Sequence, residues 1–201
     1  MKTFEIRATL QKITSDLVGF AKLERIIAAI CIFIPLFLAW ADNWQIRESI
    51  SDYVYMSNSH IFGLLLTMAA MLFIVNGAIY IQTERLRDCK KQGRWYNIIL
   101  GISLLGVILL PHKEYGPLHF IFASIFFAGS ALVIALFNDR KHRKTSLVIA
   151  IFSISGLLIY VVNNHVFAIP WTEWLTLFWA EWISLAVIAI HYILESLGEL
   201  T

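Results

Sequence analysis

Charge is scarce in this chain. Asp, Glu, Lys and Arg make up 15% of its 201 residues, where a soluble domain carries about 25%. There are two cysteines, Cys31 inside an apolar run and Cys89 in a charged stretch, so no disulfide framework is expected. A Gly-x-Ser-x-Gly elbow and a glycine-rich phosphate loop are both missing, which removes the usual signatures of a serine hydrolase or a nucleotide-binding loop. A formal net charge of +2 gives no basis for a nucleic-acid partner. Repeats of about 34 or 40 residues are absent, which excludes a helical-repeat array.

What remains is apolar: 59% of the residues are hydrophobic and the mean hydropathy is +0.71. Fourteen Phe, seven Trp and seven Tyr exclude disorder. The apolar residues fall into six runs at 26–41, 60–81, 95–110, 117–137, 146–162 and 171–194. A helix rising 1.5 Å per residue needs about 20 residues to cross a hydrocarbon core. The runs at 60–81, 117–137 and 171–194 suffice as they stand, and the other three must borrow flanking residues. Lipid offers no partner to unpaired backbone groups, so the expected form is helical. The sequence therefore predicts an all-α integral membrane protein, a single domain of six spans.

Orientation follows the basic residues. Of sixteen Lys and Arg, fourteen fall before the first run (Lys2 to Arg25), between the second and third (Arg85 to Arg94), or between the fourth and fifth (Arg140 to Lys144). Only Arg47 and Lys113 lie on the other side. Both termini are thus expected in the cytoplasm, with a bacterial inner membrane as the setting. Ala39-Trp40-Ala41 imitates a signal-peptide cleavage pattern, but some 25 residues precede the apolar run, so the first span is expected to be retained. Residues 1–25 form a cytoplasmic lead-in. Phe4, Leu10, Ile13, Leu17 and Phe20 recur there at helical spacing, suiting either an amphipathic helix on the leaflet or an extension of the first span. Trp40, Trp44, Trp171 and Trp174 mark the outer boundary and Trp95 the inner one. Pro35 is expected to bend the first helix by removing a backbone donor.

Topology then sorts the polar residues. His60, His112, His119 and His165 collect at the outer face, with Asp42, Glu48, Asp52, Glu114 and Glu173. His60 and His119 open outward-starting helices and His165 follows the fifth span. Three imidazoles at one depth could hold a divalent metal such as zinc, although no His-x-x-x-His pair supplies two ligands from one helix; alternatively each is an interfacial residue with an apolar body and a wet tip. Glu181 stands 8–10 residues into the last run, about 12–15 Å deep by helical rise. A central acid is costly in lipid, so Glu181 should face the bundle interior and find a partner among Asn76, Ser103, Ser124, Ser153 or an outer histidine. Its role is a general acid or base, a metal ligand completing the shell as Asp52 could, a polar-ligand anchor, or a packing bond. The first outer loop carries Ser49-Ile50-Ser51-Asp52-Tyr53, an acid flanked by hydroxyls that suits a cation, a headgroup amine or a turn cap. With a single deep acid and no deep Lys or Arg, neither a voltage sensor nor a proton relay is expected. The absence of inverted halves argues against a secondary transporter.

The Ser-Ile-Ser-Asp-Tyr run at 49–53, His60 ahead of the second span, Leu118-His119-Phe120 and Phe178-Trp179-Ala180-Glu181 together resemble uncharacterised bacterial six-span proteins of the DUF998 or DRAM/Frag-like type. That resemblance implies lipid-related or trafficking work, with Ser51, Asp52, His119 and Glu181 at matching positions. The outer histidines also invite comparison with the ceramidase and adiponectin-receptor superfamily of intramembrane zinc hydrolases, whose last-span His pair this chain lacks. Three functions follow as expectations. The first is binding of a lipid headgroup or small polar ligand at the outer mouth by Ser51, Asp52, His60, His119 and Glu181. The second is a metal-dependent lipid hydrolase with His60, His119 and His165 as ligands and Glu181 as the catalytic acid/base. The third is a structural partner for another membrane protein.

Overall fold

The structure, a computed structural model, describes residues 17–87, 95–136, 142–164 and 175–197. Among these residues are six α-helices, one 3-10 turn and no strand: α1 (Leu17–Ala41), the turn Ser51–Tyr55, α2 (Ser59–Arg87), α3 (Tyr96–Leu109), α4 (His112–Leu136), α5 (Arg143–Val162) and α6 (Leu177–Ser196). Every helix except α3 is long and apolar enough to cross a membrane. The chain is built as a multi-pass membrane protein.

The helices correct several sequence-derived limits. The first begins at Leu17 instead of residue 26, so the later part of the lead-in continues the first span; residues 1–16 lie outside the described residues. It runs unbroken through Pro35. The second helix extends to Arg87 rather than 81, and the fifth starts at Arg143 rather than 146. The third does not lengthen: Trp95 and Leu110 cap a 14-residue helix, and Leu110 leaves helical geometry at φ −122° and ψ 78° ahead of Pro111. The fourth starts five residues early, at His112, across a break at Tyr115 (φ −129°, ψ 38°). Pro117 explains the break, because it supplies no N–H to the carbonyl four residues back, at Lys113, and its ring clashes with that carbonyl, so the turn before it cannot continue as regular helix. The last begins at Leu177, not 171, so Glu181 lies about 6 Å along the helix instead of 12–15 Å.

Each helix packs on its neighbour in sequence, and α6 returns against α1 to close a ring. Lipid removes the hydrophobic drive between helices, so close fit and interhelical hydrogen bonds must hold the ring together. Gly101 of α3 lies so near α2 that an added Cβ would stand 2.5 Å from the Ala70 carbonyl oxygen. Beside it, Asn97 Nδ2 donates to Asn76 Oδ1 at 2.6 Å across the same pair of helices. Phe73, Phe126 and Tyr192 meet edge to face at the centre, with ring centroids 5.6 and 5.8 Å apart. Phe33, Leu64, Phe120 and Phe152 point outward, each more than 60% exposed, as suits a surface that meets hydrocarbon.

Polar groups gather at the two ends of the ring. At the end holding Glu24 and Glu195, Tyr80 Oη donates to Glu24 Oε1 at 2.6 Å, and His191 Nε2 lies 3.7 Å from Glu195 Oε2. Glu24 and Glu195 are buried. Neither was singled out from the sequence. At the opposite end, residues 42–58 fold back onto the helices, and that loop builds the site.

Candidate functional site

The loop leaves α1 through two residues in the left-handed region, Asn43 (φ 56°) and Trp44 (φ 61°). Arg47 Nε then binds Asp42 Oδ2 at 2.7 Å, while its guanidinium stands 5.8 Å from the centre of the Tyr53 ring. Tyr53 is fully buried, and its hydroxyl donates to the Gln45 carbonyl at 2.8 Å. Burial raises the Tyr53 phenol above its ordinary range, which keeps it a donor at neutral pH. Ile50, Tyr53 and Met56 seat the turn in the same apolar cluster as Leu38, Phe62 and Phe178.

Two hydrogen bonds to the backbone of this loop dock it on α6. The first N–H groups of a helix have no intrahelical partner, and Thr176, the N-cap of α6, gives no side-chain bond. The Glu48 carbonyl instead accepts from Phe178 N–H at 2.7 Å. One turn on, Glu181 Oε2 accepts from Ile50 N–H at 2.6 Å. The partner of Glu181 is therefore a loop amide, not one of the side chains expected. Asn76, Ser103 and Ser153 bond elsewhere: Asn76 to Asn97, Ser103 to the Leu100 carbonyl and Ser153 to the Ala150 carbonyl.

The break in α4 arranges the histidines. His112 and His119 are seven residues apart, about 10.5 Å along a straight helix, yet their ring centroids lie 5.7 Å apart. His112 Nε2 approaches Asp52 Oδ1 at 3.3 Å and its ring meets Tyr55 edge-on. His119 is buried, with Nδ1 2.8 Å from the Leu110 carbonyl at the end of α3. A carbonyl only accepts, so Nδ1 carries the proton. Ser49 and Ser51 pair through their hydroxyls at 3.0 Å, and Asp52 N–H donates to Ser49 Oγ at 3.1 Å.

These groups share a cavity of about 540 Å³. Ser49, Ser51, Asp52, His112, His119 and Glu181 form its polar end, and Phe120, Phe127, Leu157 and Val161 part of its apolar wall. A smaller space of about 60 Å³ continues past Ser51, His119 and Glu181 towards Phe73 and Phe126. Of the residues singled out from sequence, the structure thus unites Ser51, Asp52, His119 and Glu181. His60 is exposed at the first turn of α2 and does not line either space. His165 lies outside the described residues. Among the described residues, no three His, Cys, Asp or Glu side chains are grouped to hold a metal ion.

Sequence reasoning counted His112 among the outer histidines but passed over it as a ligand group. The signal available for His112 was Gly116-Pro117, which breaks the helix between the two imidazoles and lets them meet. Ser49 stood in the loop motif, but its role as acceptor for the Asp52 amide needs the folded turn.

No curated protein and no solved structure matches the chain. A family model does match over residues 33–196, a stretch that contains the loop, the broken α4 and Glu181. The chain belongs to that family, described as a family of unknown function (DUF7103).

Proposed function

We propose that this protein crosses a bacterial inner membrane six times, with both termini in the cytoplasm, and binds a polar ligand in the cavity at its outer face. A lipid headgroup or a small polar molecule is the class of ligand. One observation carries the reading. Five polar side chains from separate stretches of chain (Ser51 and Asp52, His112 and His119, Glu181) converge at one end of a space whose wall along α4 and α5 is mostly apolar. A cavity of about 540 Å³ is within the usual range of ligand sites, about 300–1,000 Å³.

The bias of fourteen basic residues to one side supports the orientation. The short α3 fits a sixth crossing if protein makes up its length. Fourteen residues rise about 21 Å, against about 30 Å of hydrocarbon. The turn Ser51–Tyr55 packs on α2 and α3, and non-helical backbone at membrane depth is tolerated where protein covers it.

Thermal unfolding of the purified protein, with and without a total membrane lipid extract, tests the proposal. The extract should raise the midpoint for the native chain, and Glu181→Gln should abolish that rise. Equal stabilisation of both proteins, or none of either, would contradict a ligand site at Glu181.

A further inference from the structure

Resting on the reading of this cavity as a ligand site, we infer that its ligand is an amphiphile whose headgroup carries a protonated primary amine, with the hydrocarbon tail lying between α4 and α5. The charge pattern of the lining gives the headgroup. Three acidic residues, Glu48, Asp52 and Glu181, line the cavity, two of them (Asp52 and Glu181) buried, and among the described residues no Lys or Arg does. The two nearby cations are engaged elsewhere: Arg47 is tied to Asp42 at 2.7 Å, and Lys113 Nζ stands 4.2 Å from the centre of the Tyr55 ring. An anionic headgroup would meet carboxyl groups with no fixed cation to balance it. An ammonium finds acceptors in Asp52, Glu181 and the paired Ser49 and Ser51 hydroxyls.

Asp52 and Glu181 are more than nine-tenths buried, so each keeps one carboxyl oxygen engaged (Asp52 with His112, Glu181 with the Ile50 amide) inside a walled site, not on a solvated surface. A free amine would need only that polar end. The cavity goes further: Phe127, Leu157, Leu158 and Val161 carry it along α4 and α5, and Phe120 and Leu158 on its rim are 66% and 54% exposed on the outside of the ring. A tail can therefore leave sideways into hydrocarbon while the headgroup stays under the loop.

The experiment is thermal unfolding of the full chain in a neutral detergent with defined additives. Phosphatidylethanolamine and dodecylamine should both raise the midpoint, whereas phosphatidylglycerol, dodecanol and ethanolamine alone should not. Asp52→Asn and Glu181→Gln, which keep shape and hydrogen-bonding atoms, should each weaken the dodecylamine effect by about ten- to a hundredfold in half-maximal concentration. Phosphatidylglycerol stabilising as well as the amines would overturn the inference while leaving a lipid site standing. Ethanolamine alone matching dodecylamine would overturn the tail. If total lipid extract stabilises and none of the defined amines does, the inference fails alone; if nothing stabilises, the ligand site fails with it.

Discussion

Among the contacts that hold the loop over the cavity, the one a side-chain change can remove cleanly is the 2.6 Å bond from Ile50 N–H to Glu181 Oε2. Glu181→Leu keeps similar bulk but leaves that buried amide unpaired, a cost of about 1–3 kcal/mol. Removing the carboxyl also relieves its own burial, which acts in the opposite direction on global stability. Local opening separates the two effects, because residue 181 stays on α6 whether or not the loop is docked. Trypsin cleavage after Arg47 reports that opening. The opening constant, and with it the cleavage rate, should rise about 5- to 150-fold in Glu181→Leu. Glu181→Gln retains a carbonyl acceptor within reach of Ile50 and should stay within a few-fold of the native chain. Equal cleavage of the Leu and Gln proteins would refute the claim that this bond holds the loop down.

Three further substitutions probe the frame. Gly101→Ala should destabilise the fold by about 1–3 kcal/mol, read as a lower midpoint of thermal unfolding, since its Cβ would meet the backbone oxygen of Ala70 at 2.5 Å; Gly63→Ala, with nothing within 4 Å, should be neutral. Tyr80→Phe removes the donor to buried Glu24 and should cost about 1–3 kcal/mol in the same measurement, and no change would show that the bond is not formed. Trp44→Gly should be neutral or stabilising despite the loss of a large side chain. Trp44 is exposed and sits at φ 61°, which costs a non-glycine residue about 1–2 kcal/mol; a marked loss of stability would contradict that account.

The helices were legible because lipid demands long apolar runs, and runs survive averaging over many residues. Their ends were less so, since a helix end is set by local breaks and by packing. The run at 171–194 looked continuous, yet α6 starts at Leu177, and so Glu181 moves from mid-span to the second turn. Its partner was unreadable for a different reason: sequence patterns compare side chains, and Glu181 is met by the backbone amide of Ile50, 131 residues away. His112 was visible as a histidine, but its nearness to His119 arises from the break at Tyr115, which converts a two-turn separation into ring contact. Glu24 escaped because a carboxyl at the flank of an apolar run reads as solvated until α2 brings Tyr80 to it.

The claim on which the rest depends is that the end of the ring carrying the loop and cavity faces outward. Two cysteines in the chain and one added residue measure it. In intact bacterial cells a membrane-impermeant maleimide should label Ser57→Cys, which is exposed beside the loop. The native chain, with Cys31 buried and Cys89 among the basic residues between the second and third runs, should take up label only once the membrane is opened. Labelling of Cys89 from outside, with Ser57→Cys protected, would invert the molecule and place the cavity in the cytoplasm.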